Sequence, residues 1–133
     1  MLQGLDHVQI AMPEGGEAEA RRFYGVLLGM TEIEKPEPLR SRGGCWFVSG
    51  RLQVHLGVDA RFVPADKAHP AFLTEDLEAL RSALQVAGVN LQADEADVRK
   101  RFYAFDPFGN RLEFIAAADG FSVPNYGAEG GEG

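Results

Sequence analysis

Apolar residues along the chain recur at two alternating spacings. A period of two, the mark of a strand with one buried face, marks "LDHVQIAMP", with His7 and Gln9 on one face and Val8 and Ile10 on the other. A helical period follows in "GEAEARRFYGVLLGM", where Phe23, Val26 and Leu27 fall at i, i+3, i+4 and Gly29 offers a stop. "TEIEK", "GCWFVSG" and "RLQVHLGV" then read as strands, the last two as a hairpin turning at Ser49-Gly50. The second half repeats the order. "HPAFLTE" is a strand, "DLEALRSALQVAGV" a helix with acidic residues in its first turn and an end near Gly88, and "NLQAD", "RFYAFD" and "NRLEFIA" are strands. A Pro-Phe-Gly turn joins the last two.

The pattern therefore predicts an α+β fold of two tandem βαβββ modules, about residues 4–58 and 68–117, in one domain. "DARFVPADKA" lies between them without clear periodicity, and the glycine-rich residues 118–133 are expected to be a partly flexible tail. His7 and His69 take matching places on the first strand of each half, and His55 and Glu113 on the last, with one extra residue in the second hairpin turn.

Each last strand carries polar residues on one face, Gln53 with His55 and Arg111 with Glu113, against an apolar face of Leu52, Val54 and Leu56 or Leu112 and Phe114. The apolar faces can seal against the helices and leave the polar faces lining a concavity. A carboxylate there needs a cation or donors beside it, because an unpaired buried charge costs several kcal/mol. Histidines and a divalent metal meet that need, and imidazoles with one carboxylate are ordinary ligands of zinc, iron, nickel or manganese. The bland alternatives are hydrogen-bonded structural histidines and a Glu113 paired with Arg111 or a surface lysine. All three histidines of the chain, however, fall at these repeat-related positions.

Composition narrows the partners. No apolar run approaches the roughly 20 residues of a membrane-spanning helix, and the amino terminus shows no secretory pattern, so the expectation is a cytoplasmic protein. A net charge of −7 argues against a nucleic-acid partner and more easily accommodates a neutral or cationic small molecule, although bulk charge constrains a local pocket weakly. Cys45 stands alone, which excludes an internal disulfide, and is expected to be a buried small hydrophobe.

"LDHVQIAM", "FYGVLLGM", "HPAFLTEDLEAL" and "FYAFDPFGNRLEF", in that order over about residues 4–117, resemble the vicinal oxygen chelate superfamily, also called the glyoxalase, bleomycin-resistance and dioxygenase family. The resemblance implies curved mixed sheets around a cavity, and a metal set of His7, His69 and Glu113 with His55 a fourth candidate ligand. His55 stands where glyoxalase I-like members carry a glutamate and epimerase-like members a glutamine, which speaks against glyoxalase I activity proper. It further implies a homodimer and a metal-dependent enzyme acting on a small oxygenated compound, by lyase or isomerase chemistry through a metal-stabilised enolate. Glu113 or His55 would be the general base, with Arg111, Tyr103, Phe102, Trp46 and Gln53 around the substrate. Two alternatives stay open, an Fe(II) ring-cleaving dioxygenase and a metal-free protein that sequesters a drug. Thiol transfer to an antibiotic uses a similar trio, but no clear potassium-binding loop or dense basic pocket is visible for it.

Overall fold

A computed structural model describes residues 1–93 and 100–118. The first half contributes β1 (Val8–Met12), a helix α1 (Glu17–Ala20) that continues in π geometry over Arg21–Leu27, β2 (Thr31–Ile33), a short α2 (Glu37–Arg40), β3 (Cys45–Ser49) and β4 (Leu52–Val58). The second half contributes β5 (Ala71–Thr74), α3 (Leu77–Val86), β6 (Leu91–Ala93), β7 (Arg101–Phe105) and β8 (Arg111–Ala116). The expected tail, from residue 119 on, lies outside the described residues. No described helix is long and apolar enough to cross a membrane.

Two mixed four-stranded sheets result, ordered β1-β4-β3-β2 and β5-β8-β7-β6. In each, the first strand runs parallel to the last, and the other pairings are antiparallel. The fold is thus the α+β pair of βαβββ sheets that the repeated pattern predicts. Helix α3 starts on Asp76, whose carboxylate accepts from the Ala79 amide at 3.0 Å and satisfies a donor that the helix leaves open. Apolar faces turn toward the helices, so Val54, Leu56, Phe47 and Met12 are buried with Phe23 and Tyr24, while Phe102, Leu112 and Phe114 are buried with Leu77 and Leu84.

Several local expectations need correction. Val26 is 75% exposed, and the inward face of the first helix is Ala20, Phe23, Tyr24 and Leu27. The cause is the π stretch: the Leu28 amide donates to the Phe23 carbonyl, five residues back, so each residue turns less than in an α-helix and Val26 rotates off the buried face. The first hairpin turns on Gly50-Arg51, because Ser49 still pairs with Leu52. Gly50 has φ +58° and Arg51 does not have positive φ, as a type II′ turn requires of its two central residues. The second hairpin pairs Phe105 with Arg111, so its turn runs from Asp106 to Asn110, three residues longer than the first rather than one. His7 and His69 stand just ahead of β1 and β5, not within them.

That longer turn joins the two halves. Asp106 is buried, and its Oδ1 accepts from the Phe108 and Asn110 amides, both at 2.9 Å. Its Oδ2 accepts from Tyr24 Oη at 2.7 Å and Asn110 Nδ2 at 2.9 Å. Asn110 Nδ2 also donates to the Ala11 carbonyl of β1 at 2.8 Å. Burial, and then the Asp106 charge, hold the Tyr24 hydroxyl well above its ordinary pKa, so it remains a donor. Phe108, between them, fills the space over Gly16, where an added Cβ would lie 2.6 Å from its ring.

Replacing Asp106 by Ala strands four donor contacts and is expected to lower the urea-unfolding free energy by about 3 kcal/mol or more, against about 1–2 kcal/mol for Tyr24→Phe. Equal losses for the two variants would contradict this assignment. Cys45 is buried as expected, and burial pushes its thiol up to about 11. At pH 8 the folded protein should therefore react with a disulfide reagent at least about a hundredfold more slowly than the unfolded chain, since the thiolate is the reactive form.

Candidate functional site

The register makes the two halves superposable at the level of single residues. His55 on β4 lies beside Gln9 of β1 and opposite Trp46 of β3. Glu113 on β8 lies beside Ala71 of β5 and opposite Tyr103 of β7. His7 and His69 each precede that first-strand neighbour by two residues. One polar cluster therefore sits on the helix-free face of each sheet, and the two differ sharply in chemistry.

In the second half Glu113 is 4% exposed. Its Oε1 lies 2.9 Å from His69 Nε2, and its Oε2 accepts from Arg101 Nη1, whose side chain is largely enclosed. His69 Nδ1 donates to the Lys67 carbonyl at 2.8 Å, and the ring meets Tyr103 edge to face at 5.5 Å. Arg111 places its guanidinium 4.1 Å over the Tyr103 ring and does not pair with Glu113. Arg101, which sequence reasoning missed, takes that role. It pairs with Ile115, two residues from Glu113, and so reaches the carboxylate diagonally on the same face. The alternation Arg101, Tyr103 in "KRFYAF" was the available signal.

In the first half the cluster is a stack of rings. Trp46 lies on His55 at 3.8 Å and 3°, and His7 covers the other face at 4.1 Å and 16°. His55 Nε2 donates to Gln53 Oε1 at 3.1 Å. Burial, and then the adjacent His7, lower the His55 pKa from its ordinary value, against a smaller opposing pull from Asp6. The ring is thus kept neutral at neutral pH. His7 Nδ1 donates to Asp6 Oδ2 at 2.8 Å, which leaves Nε2 as its open nitrogen.

Phe102 is not a pocket wall. It is fully buried on the opposite face of β7, with the Arg81 guanidinium 4.9 Å over its ring, because residues 102 and 103 of a strand must point to opposite sides. The expected four-residue meeting also does not occur within one chain. Among the described residues no group of three or more His, Cys, Asp or Glu is placed to hold a metal. His69 and Glu113 form one pair, and His7 and His55 another.

The His69–Glu113 pair nonetheless fits a divalent ion. Metal-ligating histidines donate their second ring nitrogen to a carbonyl or carboxylate, as His69 does to Lys67 and His7 to Asp6. Nε2 and Oε1, 2.9 Å apart and hydrogen-bonded to each other, are the imidazole nitrogen and carboxylate oxygen that would turn to such an ion. Arg101 occupies the other oxygen, so Glu113 would bind through Oε1 alone. A cleft of about 480 Å³ opens beside the pair, bordered by His69, Arg111, Asn110, Val8 and Gln9 among others.

Residues 4–114 match the Glyoxalase/Bleomycin resistance protein/Dioxygenase superfamily. A glutathione transferase FosA of Serratia marcescens is 32% identical over 120 residues, covering 85% of this chain and 80% of its own. The crystal structure of a Bacillus anthracis protein assigned to the glyoxalase family is 48% identical, with a TM-score of 0.84 over 89% of this chain and 98% of that one. The fosfomycin resistance protein FosX of Listeria monocytogenes shares the fold, with a TM-score of 0.72 over 89% of this chain and 96% of that one, at 15% identity. The duplicated βαβββ sheets and the match across both of them make this chain a member of the glyoxalase/bleomycin resistance protein/dioxygenase superfamily.

Proposed function

We propose that the protein is a divalent-metal-dependent enzyme acting on a small oxygenated compound by lyase or isomerase chemistry. The ion would be held by His69 and Glu113 of one protomer and His7 of a second in a homodimer. The observation that carries this reading is the 2.9 Å approach of His69 Nε2 to Glu113 Oε1, with the second nitrogen of His69 already committed to a backbone carbonyl. A twofold dimer would suit it by symmetry, since exchanging His7 between two copies would complete two equal sites at once. Leu2 and Leu5, on the segment leading to His7, are exposed and would gain from burial at such a contact.

When bound, the cation supplies positive charge to the substrate's oxygens. The remaining steps belong to the chain. Arg101 donates to Glu113 Oε2 in a buried setting and so leaves its Oε1 held in place. His55, neutral and with its Nε2 hydrogen on Gln53, has Nδ1 as the basic nitrogen that can accept a proton from carbon beside the polarised oxygen. Trp46 and His7 clamp that ring from both faces and fix its plane.

A second reading, transfer of glutathione to a small electrophile, is favoured by the Serratia relative. It would use the same ion, so turnover assays with and without a thiol separate the two. Oxygen uptake with catechols after anaerobic iron loading tests the dioxygenase alternative. Drug sequestration without metal would leave His69 and Glu113 as a plain hydrogen-bonded pair, and the metal titration below separates the two.

Protein purified without a histidine tag is expected to bind about one divalent ion per chain. His69→Ala, Glu113→Gln and His7→Ala should each weaken binding by about a hundredfold, as read by calorimetric titration. Unchanged affinity in His69→Ala would remove the centre. Mixing His7→Ala with Glu113→Gln protomers should regenerate about a quarter of the wild-type sites. Half the dimers are then mixed, and each mixed dimer contains one intact site of two. No recovery above the single variants would exclude a site shared between subunits.

A further inference from the structure

The cleft beside His69 contains a cation, expected from the sequence near the substrate, to which the proposed function gives no specific partner. Arg111 borders it, yet forms no ion pair among the described residues, in a chain of net charge −7. Its Nη1 reaches only the Asp66 carbonyl, at 3.5 Å, and its Nε is buried with no partner. A guanidinium has five donors, and those of Arg111 are largely unspent. The other arginine on this face, Arg101, is committed to Glu113.

Arg111 is also held in one orientation. Its Cζ rests 4.1 Å over the Tyr103 ring, a contact that restrains the head, and a guanidinium fork suits a planar, two-oxygen partner. Around it the walls are Val8, Ile10, Val63, Ala65 and Ala68. Asn110 adds little, since its amide nitrogen already serves Ala11 and Asp106. Gln9 lies over Gly57, where a Cβ would meet its Nε2 at 2.5 Å, and is the remaining amide lining the cleft. One cation, one amide and aliphatic walls match a singly charged group on a short apolar body. A phosphate dianion would need more donors than these.

We infer that Arg111 anchors the carboxylate of a short aliphatic carboxylic acid in this cleft, with Gln9 beside it. The inference deepens the proposed function, because Arg111 and Glu113 are two residues apart on one face of β8, roughly 6.5 Å along the strand. An acid with an oxygen substituent a few bonds from its carboxylate would then reach both Arg111 and the ion. Arg111 is in this account a substrate-binding residue, with Tyr103 positioning it.

The test uses butyrate as the probe and butyramide as its uncharged match, titrated into full-length protein, metal-free and metal-loaded, and followed by NMR on the Arg111 Nε–H signal and by calorimetry. Wild type is expected to bind butyrate and not butyramide in both forms. Arg111→Gln should weaken binding by about tenfold to a hundredfold, with Arg111→Lys intermediate because it keeps the charge but not the fork. Unchanged circular dichroism and metal affinity in both variants would show that fold and ion site are intact. Equal butyrate affinity in wild type and Arg111→Gln, or no binding by wild type, overturns the inference. Arg111-dependent butyrate binding in a protein that binds no metal would instead leave this inference standing and remove the proposed metal centre.

Discussion

The Asp106 carboxylate is the point on which the two halves of this chain depend. It takes hydrogen bonds from Tyr24 of the first helix and from its own turn, and through Asn110 it is tied to the β1 backbone. A buried carboxylate survives without neutralisation only when its lone pairs are filled, and here the fillers come from both modules. The same turn places Asn110 and Arg111 at the start of β8, bordering the cleft together with β1. What holds the halves together therefore also sets the distance between the chemistry of one sheet and the wall supplied by the other.

Duplication has produced equal geometry and unequal chemistry. Trp46, His55 and His7 occupy the register places of Tyr103, Glu113 and His69. The first set is stabilised by ring stacking, and burial lowers the His55 pKa from its ordinary value. The second set contains a buried carboxylate, and its stability depends on Arg101 and on what His69 Nε2 presents to Oε1. In the proposed function a neutral base and a charged ligand would be different tasks, with one repeat serving each.

Much of the fold was legible because strand and helix write different periods into a sequence. "RLQVHLGV" and the "RLEF" within "NRLEFIA" alternate, so the faces of Gln53, His55, Arg111 and Glu113 could be read directly, and Asp76 and Gly88 mark the limits of α3. Val26 could not be placed, because a π stretch changes the angle per residue and depends on packing rather than on composition. Phe102 and Tyr103 could not both line a pocket, but adjacent aromatic residues do not announce which of them faces the helix. Local spacing offered Arg111 or a surface lysine as the partner of Glu113, and the diagonal pairing of β7 with β8 put Arg101 there instead.

The sequence by itself determined the repeat, the strand faces and the residue types able to hold an ion, since each of these follows from local spacing and side-chain chemistry. Tertiary structure alone decided that His7 stacks on His55 instead of joining Glu113 of its own chain, that Arg101 pairs with the carboxylate, and that Arg111 is left with donors to spare. Those outcomes depend on distances between strands far apart in the chain, which sheet pairing and the Asp106 turn set and which no local pattern encodes.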